Sequence, residues 1–281
     1  MTRILSVITV FPVLALAQPT QVTPDLRDVG SARSIAMGGA YESLGYGAEA
    51  ISGNPAAISL YKRYLIEASG AWDIPLGYGF ASMGMADSTN ELSAGVQYTF
   101  ATFGGFDRRY AHVTTGAASY AFNNIIHVGV ALRHQAIVGA SNTNSVTMNA
   151  GLIVRPVQFL SFGVSGHNLI GVYNKDVSRY FTASIAGQFF NQLSPAVDVR
   201  FDFNQPKVRF AVHGGVEWLI AQMIPLRVGY QYDGIADPNH HYLSFGAGYF
   251  SEGSGIDLAY RHEVAGGLNG RQLVLTIKMQ L

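Results

Sequence analysis

The chain has 281 residues, only 13% of them charged, and its 18 basic and 18 acidic residues cancel. Soluble domains ordinarily carry about twice that share of charge, so the composition excludes an ordinary water-facing surface, and the balance excludes an electrostatic case for nucleic acid. With no cysteine, a disulfide framework and a thiolate metal site are both excluded.

The first residues read "MTRILSVITVFPVLALAQ". Arg3 supplies a short positive region, residues 4–16 are apolar, and Ala15, Leu16 and Ala17 give the small-x-small pattern of a cleavage site. A signal peptide is expected over residues 1–17, cut before Gln18. The apolar run is too short to be a spanning helix, which needs about 20 residues.

Residues 18–61 come next, with "SIAMGGAYESLGYGAEAISGNPAAISL" at 34–60. This stretch is too apolar for an exposed loop and too broken by glycine for one good helix. Asn54 reads as an N-cap and Pro55 as the first helical residue of a short turn through Ala56, Ala57 and Ile58.

From Tyr64 onward one pattern repeats: a run of about ten residues alternating large apolar with small or polar, then a turn rich in Gly, Asn, Asp or Pro. Strands are expected at 64–72, 76–87, 92–103, 111–122, 125–138, 145–155 and 159–168. They continue at 179–189, 195–204, 208–220, 224–233, 241–250, 256–264 and 271–281. The even number suits a closed barrel with both chain ends on one side. The fold class is therefore all-β: a transmembrane antiparallel β-barrel of about fourteen strands over residues 62–281. Such a barrel is too wide for its own side chains to fill, so residues 18–61 are expected to fold back as a small N-terminal hatch, or plug.

A charge on the lipid face costs roughly 2–4 kcal/mol near the midplane, so apolar alternates are assigned outward. Val197, Val199, Phe201 and Phe203 then face lipid, as do Phe210, Val212, Val216 and Trp218. Leu226, Val228, Tyr230 and Tyr232 follow, then Ile256, Leu258 and Tyr260. The inward set is Asp198, Arg200, Asp202, Arg209, His213, Glu217, Arg227, Gln231, Asp257, Arg261 and Glu263. Arg200, Asp202, Arg209, Glu217, Arg227, Asp257, Arg261 and Glu263 are expected to form a lumenal charge network. The last strand, "RQLVLTIKMQL", turns Leu273, Leu275, Ile277, Met279 and Leu281 outward, with Thr276, Lys278 and Gln280 inward. On the second and third strands Gly77, Gly79, Ala81, Ser93 and Gly95 are expected to line a small, neutral side of the lumen, where the hatch and any apolar ligand would sit. The odd-to-even links, such as 169–178 and 234–240, are longer than the even-to-odd ones, as in an outer-membrane barrel.

"GSARSIAMGGAY" at 30–41 and "AEAISGNPAAIS" at 48–59 resemble the hatch of the FadL superfamily, and "GVSGHNL" at 163–169 looks like a strand end of its PorV-like members. That superfamily holds long-chain fatty-acid transporters and the PorV/PorQ-like barrels of secretion systems. The resemblance implies an outer-membrane protein that takes up a fatty-acid-like hydrophobic ligand and releases it sideways into lipid, with Gly38, Gly39, Asn54, Pro55 and Ala56 in the gating hatch. It equally implies a different role, a non-transporting barrel that anchors or hands on a secretion-system protein partner. The fatty-acid transporters are longer and carry large outer loops, which this chain lacks. Partners implied are outer-membrane lipid and one of those two; no cofactor is.

Two arrangements hold residue types that can carry chemistry. Ser165 and His167 share a strand face beside Asn168, which is conceivable for nucleophilic catalysis. Their order is unlike that of outer-membrane phospholipases, and no enzyme is expected. His240 and His241 lie near Asp237, but adjacent residues on a strand point to opposite faces, so no metal site is expected.

Overall fold

The computed structural model describes residues 29–103, 109–139, 142–171, 179–203 and 207–281. The expected signal peptide and residues 18–28 of the expected hatch lie outside the described residues. So do parts of four odd-to-even links, at 104–108, 140–141, 172–178 and 204–206.

Fourteen strands follow the hatch. They begin with β1 (Tyr64–Asp73), β2 (Tyr78–Asp87), β3 (Leu92–Phe103), β4 (Arg109–Phe122) and β5 (Ile126–Val138). Next come β6 (Thr143–Val157), β7 (Leu160–His167), β8 (Tyr180–Gly187), β9 (Leu193–Asp202) and β10 (Arg209–Ile220). The sheet ends with β11 (Ile224–Asp233), β12 (His240–Ser251), β13 (Ser254–Ala265) and β14 (Arg271–Gln280). Every strand pairs antiparallel with its chain neighbours, and β1 pairs with β14 from Leu65 opposite Gln280 to Asp73 opposite Gln272. Closure leaves no strand edge unpaired, which lipid requires because it offers backbone groups no hydrogen bonds.

The sidedness read from β9–β11, β13 and β14 is what the barrel shows. On β14, Leu273 and Ile277 are 47% and 54% exposed while Val274 and Thr276 are fully buried. Exposed large apolar side chains are spread over all fourteen strands. A patch of that extent belongs against lipid rather than water.

β2 departs from the expected facing. It starts at Tyr78, after a turn through residue 77, and its inward residues are Phe80, Ser82, Gly84 and Ala86. Ala81 is exposed with Met83 and Met85, Gly79 lies outside under the Trp72 ring, and Gly77 is in the turn. The cause is legible: "YGFASMGMAD" has small residues on both alternates, so contrast between faces is lost, and the one large inward residue, Phe80, looks lipid-facing. Ser93 and Gly95 of β3 do face inward.

The described part of the hatch threads the lumen as three short pieces: α1 (Ala32–Ala36), α2 (Ala48–Ser52) and a 3-10 helix (Pro55–Leu60). Ser31 caps α1, its Oγ accepting from Ser34 N at 3.2 Å. Asn54 caps the 3-10 helix as expected, its Oδ1 accepting from Ala56 N at 3.1 Å with Pro55 first in the helix. All three pieces are almost wholly buried.

Candidate functional site

The site is the contact between hatch and wall. It spans both sides of the lumen, so the expectation that the hatch rests only beside β2 and β3 is corrected: α2 and the 3-10 helix pack on β2–β6, whereas α1 packs on β11–β14. Arg33, on α1, is what draws that piece to the charged side.

Arg33 donates through Nε to Glu217 at 2.9 Å and through Nη1 to Glu49 at 3.0 Å. Glu217 also accepts from Arg227 Nε at 2.6 Å, and Arg227 Nη1 donates to Asp257 at 2.5 Å. Lys278 closes the set, 3.2 Å from Asp257, 3.5 Å from Glu67 and 3.9 Å from Glu49. Glu67 also accepts from Ala48 N at 2.5 Å, and Glu49 from Ser31 Oγ. Hatch and wall thus share one buried network, in which every carboxylate has a cation or a backbone N–H.

Of the eight charges expected to form that network, Glu217, Arg227 and Asp257 meet in it. The others stand apart. Arg261 lies over the Tyr242 ring at 4.8 Å and donates to Gln231 at 3.3 Å, while Glu263 takes His240 Nδ1 at 2.7 Å. Arg200 lies over Tyr180 at 4.8 Å, and Asp202 is buried at the same end of β9. Arg209 holds the carbonyls of Ile235 and Ala236 at 3.1 and 3.3 Å, with Asp237 at 3.5 Å. Sequence reasoning passed over Arg33, Glu49 and Glu67. A usable signal was there: a charge inside a segment destined for a lumen must find a partner.

Beside this network, shape holds the hatch. Gly215 and Gly229 stand directly opposite each other on β10 and β11, and a methyl on either would strike the backbone of Met37 or Gly38. Gly38 has φ +66° and Gly39 φ +86°, left-handed values glycine adopts freely. A methyl on Gly38 would meet the wall backbone at Tyr230 and Gly214. His213 Nδ1 donates to the Gly38 carbonyl at 2.9 Å.

Across the lumen the same device recurs. Gly129 and Gly151 stand opposite each other on β5 and β6, and a methyl on Gly129 would strike Pro55 and Ala56. On Gly151 it would strike Asn54 Oδ1, and on Gly163 of β7 it would crowd Asn54 Nδ2. Ser119 Oγ donates to the Ala56 carbonyl at 3.1 Å, and Ser59 Oγ sits 2.8 Å from Ser119 and 2.9 Å from His127. The five expected hatch residues, Gly38, Gly39, Asn54, Pro55 and Ala56, are therefore at the two closest approaches to the wall.

Between these contacts, Asp198 accepts from the backbone N–H of Tyr41 and Glu42 at 2.8 and 2.9 Å. Glu42 accepts from Ser165 Oγ and lies 3.2 Å from His167 Nε2, which is 2.9 Å from Ser165. Burial raises the Glu42 carboxyl, but the charge of His167, hydrogen bonds from His167 and Ser165, and Arg200 outweigh it and hold it at about 2. A catalytic triad puts its carboxylate on the ring nitrogen away from the serine; here serine and carboxylate share Nε2. The cluster ties the hatch to β7. His240 is buried against Glu263 while His241 faces out to Tyr230, on opposite sides of β12.

Above the hatch, toward the odd-to-even links, one side of the lumen is apolar. Ala71, Phe80, Ala101, Ala111, Val113 and Ile137 of β1–β5, with Ala259 and Val274 of β13 and β14, pack there against Ala32, Ile35 and Ala36 of α1.

A closed, lipid-girdled barrel whose lumen is filled by its own N-terminal segment is a plugged outer-membrane-type barrel. Solved structures of that class are similar to it. The CymD monoaromatic hydrocarbon channel has TM-score 0.72 at 13% identity, over 90% of this chain and 97% of that one. The Pseudomonas putida toluene transporter TodX has TM-score 0.72 at 14% identity, over 93% and 98%. A Pseudomonas aeruginosa FadL homologue has TM-score 0.66 at 12% identity, over 89% and 98%. The fold is that of the FadL-family outer-membrane hydrocarbon channels, as the hatch motif implied. No protein-family model and no curated protein matches the sequence.

Proposed function

We propose that the protein sits in the outer membrane, after removal of residues 1–17, and passes a small hydrophobic compound, with the hatch as the gating part. The observation that carries this reading is the hatch itself: a separately formed segment, seated by ion pairs and close glycine contacts on one side and by close glycine contacts with hydroxyl hydrogen bonds on the other, in a barrel similar to hydrocarbon channels. We place the compound's passage beside the apolar cluster that α1 makes with β1–β5, β13 and β14. The same side was expected for an apolar ligand, though Phe80 and Ala101 line it instead of Gly77, Gly79 and Ala81. A fatty-acid-like compound fits an apolar lining, as does a single-ring hydrocarbon.

The anchoring role, with a secretion-system protein as partner, draws no support from the solved structures named above, which are channels and a FadL homologue. One experiment separates the two roles. The barrel is purified without refolding and its bound small molecules and proteins are identified by mass spectrometry, beside a variant lacking residues 18–61. A specific hydrophobic compound, absent from the variant, is expected. Bulk lipid alone in both, with a stoichiometric protein partner, would overturn the transport reading.

A further inference from the structure

At the end of the barrel where the chain terminates, a cavity of about 260 Å³ lies between the underside of the hatch and the strand ends. That is slightly under the roughly 300 Å³ at which pockets for drug-sized ligands begin. Its charged lining is Arg33, Arg63, Arg155 and Lys278 against the single acid Glu217. Arg33 and Lys278 are neutralised in the buried network, and Glu217 is occupied by Arg33 and Arg227.

Arg63 and Arg155 differ. Neither has a carboxylate partner among the described residues, and both guanidinium carbons lie near one ring, 5.2 and 5.9 Å from the centroid of Tyr61. Arg63 also lies over Tyr46 at 4.8 Å, and its Nε is buried without an acceptor. Arg155 donates to the Gln158 carbonyl at 2.6 Å. Two like charges gathered at one ring repel each other, and among the described residues no carboxylate is paired with either. Guanidinium is the group best matched to a carboxylate, which it binds through two parallel hydrogen bonds. Leu44, Leu219 and Phe250 line the same cavity and give it an apolar wall.

We propose that this cavity binds a small organic acid, its carboxylate between Arg63 and Arg155 and a body about the size of one ring against Leu44, Leu219 and Phe250. It rests on the transport reading, and adds to it a class of compound, the acid, and a place where the compound leaves the hatch.

Equilibrium dialysis of labelled benzoate against the whole purified barrel tests it. The wild type is compared with Arg63→Gln, Arg155→Gln and the conservative Arg155→Lys, folding being checked by heat-modifiable gel mobility. Saturable binding is expected, at least tenfold weaker in each Gln variant, partly restored in Arg155→Lys, and not displaced by equal inorganic phosphate. Equal binding in wild type and Gln variants would overturn the site, as would displacement by phosphate at equal concentration. Toluene uptake by cells carrying the wild type is measured in parallel. Uptake without benzoate binding sinks this inference alone; benzoate binding lost in the Gln variants, without toluene uptake, keeps the site and sinks the transport reading.

Discussion

The two sides of the hatch are held by different physics. Around Met37 and Gly38 the contact combines close backbone approach with a charge network that crosses from hatch to wall through Arg33, Glu49, Glu217 and Lys278. Around Asn54 and Pro55 no ion pair is formed among the described residues: hatch backbone lies on Gly129, the Asn54 and Pro55 side chains lie on Gly151, and Asn54 Nδ2 approaches Gly163, with hydroxyl hydrogen bonds beside them. Ion pairs in a lumen are strong only while complete, because a lost partner leaves a buried charge. Steric contact on glycine degrades gradually and has no charge to strand. The charged side should therefore hold the hatch more tightly than the Asn54 side.

The charged side should break hardest. Glu217→Gln removes the carboxylate shared by Arg33 and Arg227, and losing a buried partner costs about 3–5 kcal/mol. The expected outcome is trypsin cleavage after Arg33, which is only 3% exposed in the intact protein. Protection equal to wild type would show that the network does not hold the hatch.

A smaller effect is expected on the glycine side. Gly151→Val drives a side chain into Asn54, and overpacking of this kind costs roughly 1–3 kcal/mol. Gly116→Val is the control, since it faces outward with nothing within 4 Å. Both are read as the temperature at which the heat-modified gel band appears. Equal temperatures for the two variants would count against the glycine seat. Asn54→Ala should do less, about 1 kcal/mol, the usual worth of an N-cap, and is read the same way.

The smallest effect near neutral pH concerns Glu42. Its folded-state value, about 2, lies below that of an ordinary carboxylate. The stability it adds is therefore fully present above about pH 4.3, the unfolded value, and is lost as pH falls towards 2. Glu42→Gln should flatten the acid limb below about pH 4, and an acid limb identical in wild type and variant would contradict that assignment.

The barrel was legible wherever the two faces of a strand differ strongly. On β9–β11, β13 and β14, charge alternates with Val, Leu and aromatic residues, and the expected facing is the observed one. On β2 both alternates are small, so composition carried no facing. The hatch was legible as a segment, through Asn54, Pro55 and the glycine run, because capping and positive φ are local properties. Its docking was not. Gly129 opposite Gly151, and Gly215 opposite Gly229, become pairs only through strand register, which the glycines themselves do not reveal. Likewise Glu42 meets Ser165 and His167 across more than a hundred residues of chain, and no local pattern announces such a contact.

The most direct measurement compares two uptakes in one strain. Cells with an intact lipopolysaccharide leaflet, carrying the wild type or Glu217→Gln, are assayed for labelled toluene entry and for sensitivity to a hydrophilic antibiotic that the outer membrane excludes. The wild type should speed toluene entry over cells lacking the protein while leaving them resistant, and Glu217→Gln should make them sensitive. Wild-type cells that become sensitive, or that take up toluene no faster than cells without the protein, would contradict a hatch-gated passage for hydrophobic compounds.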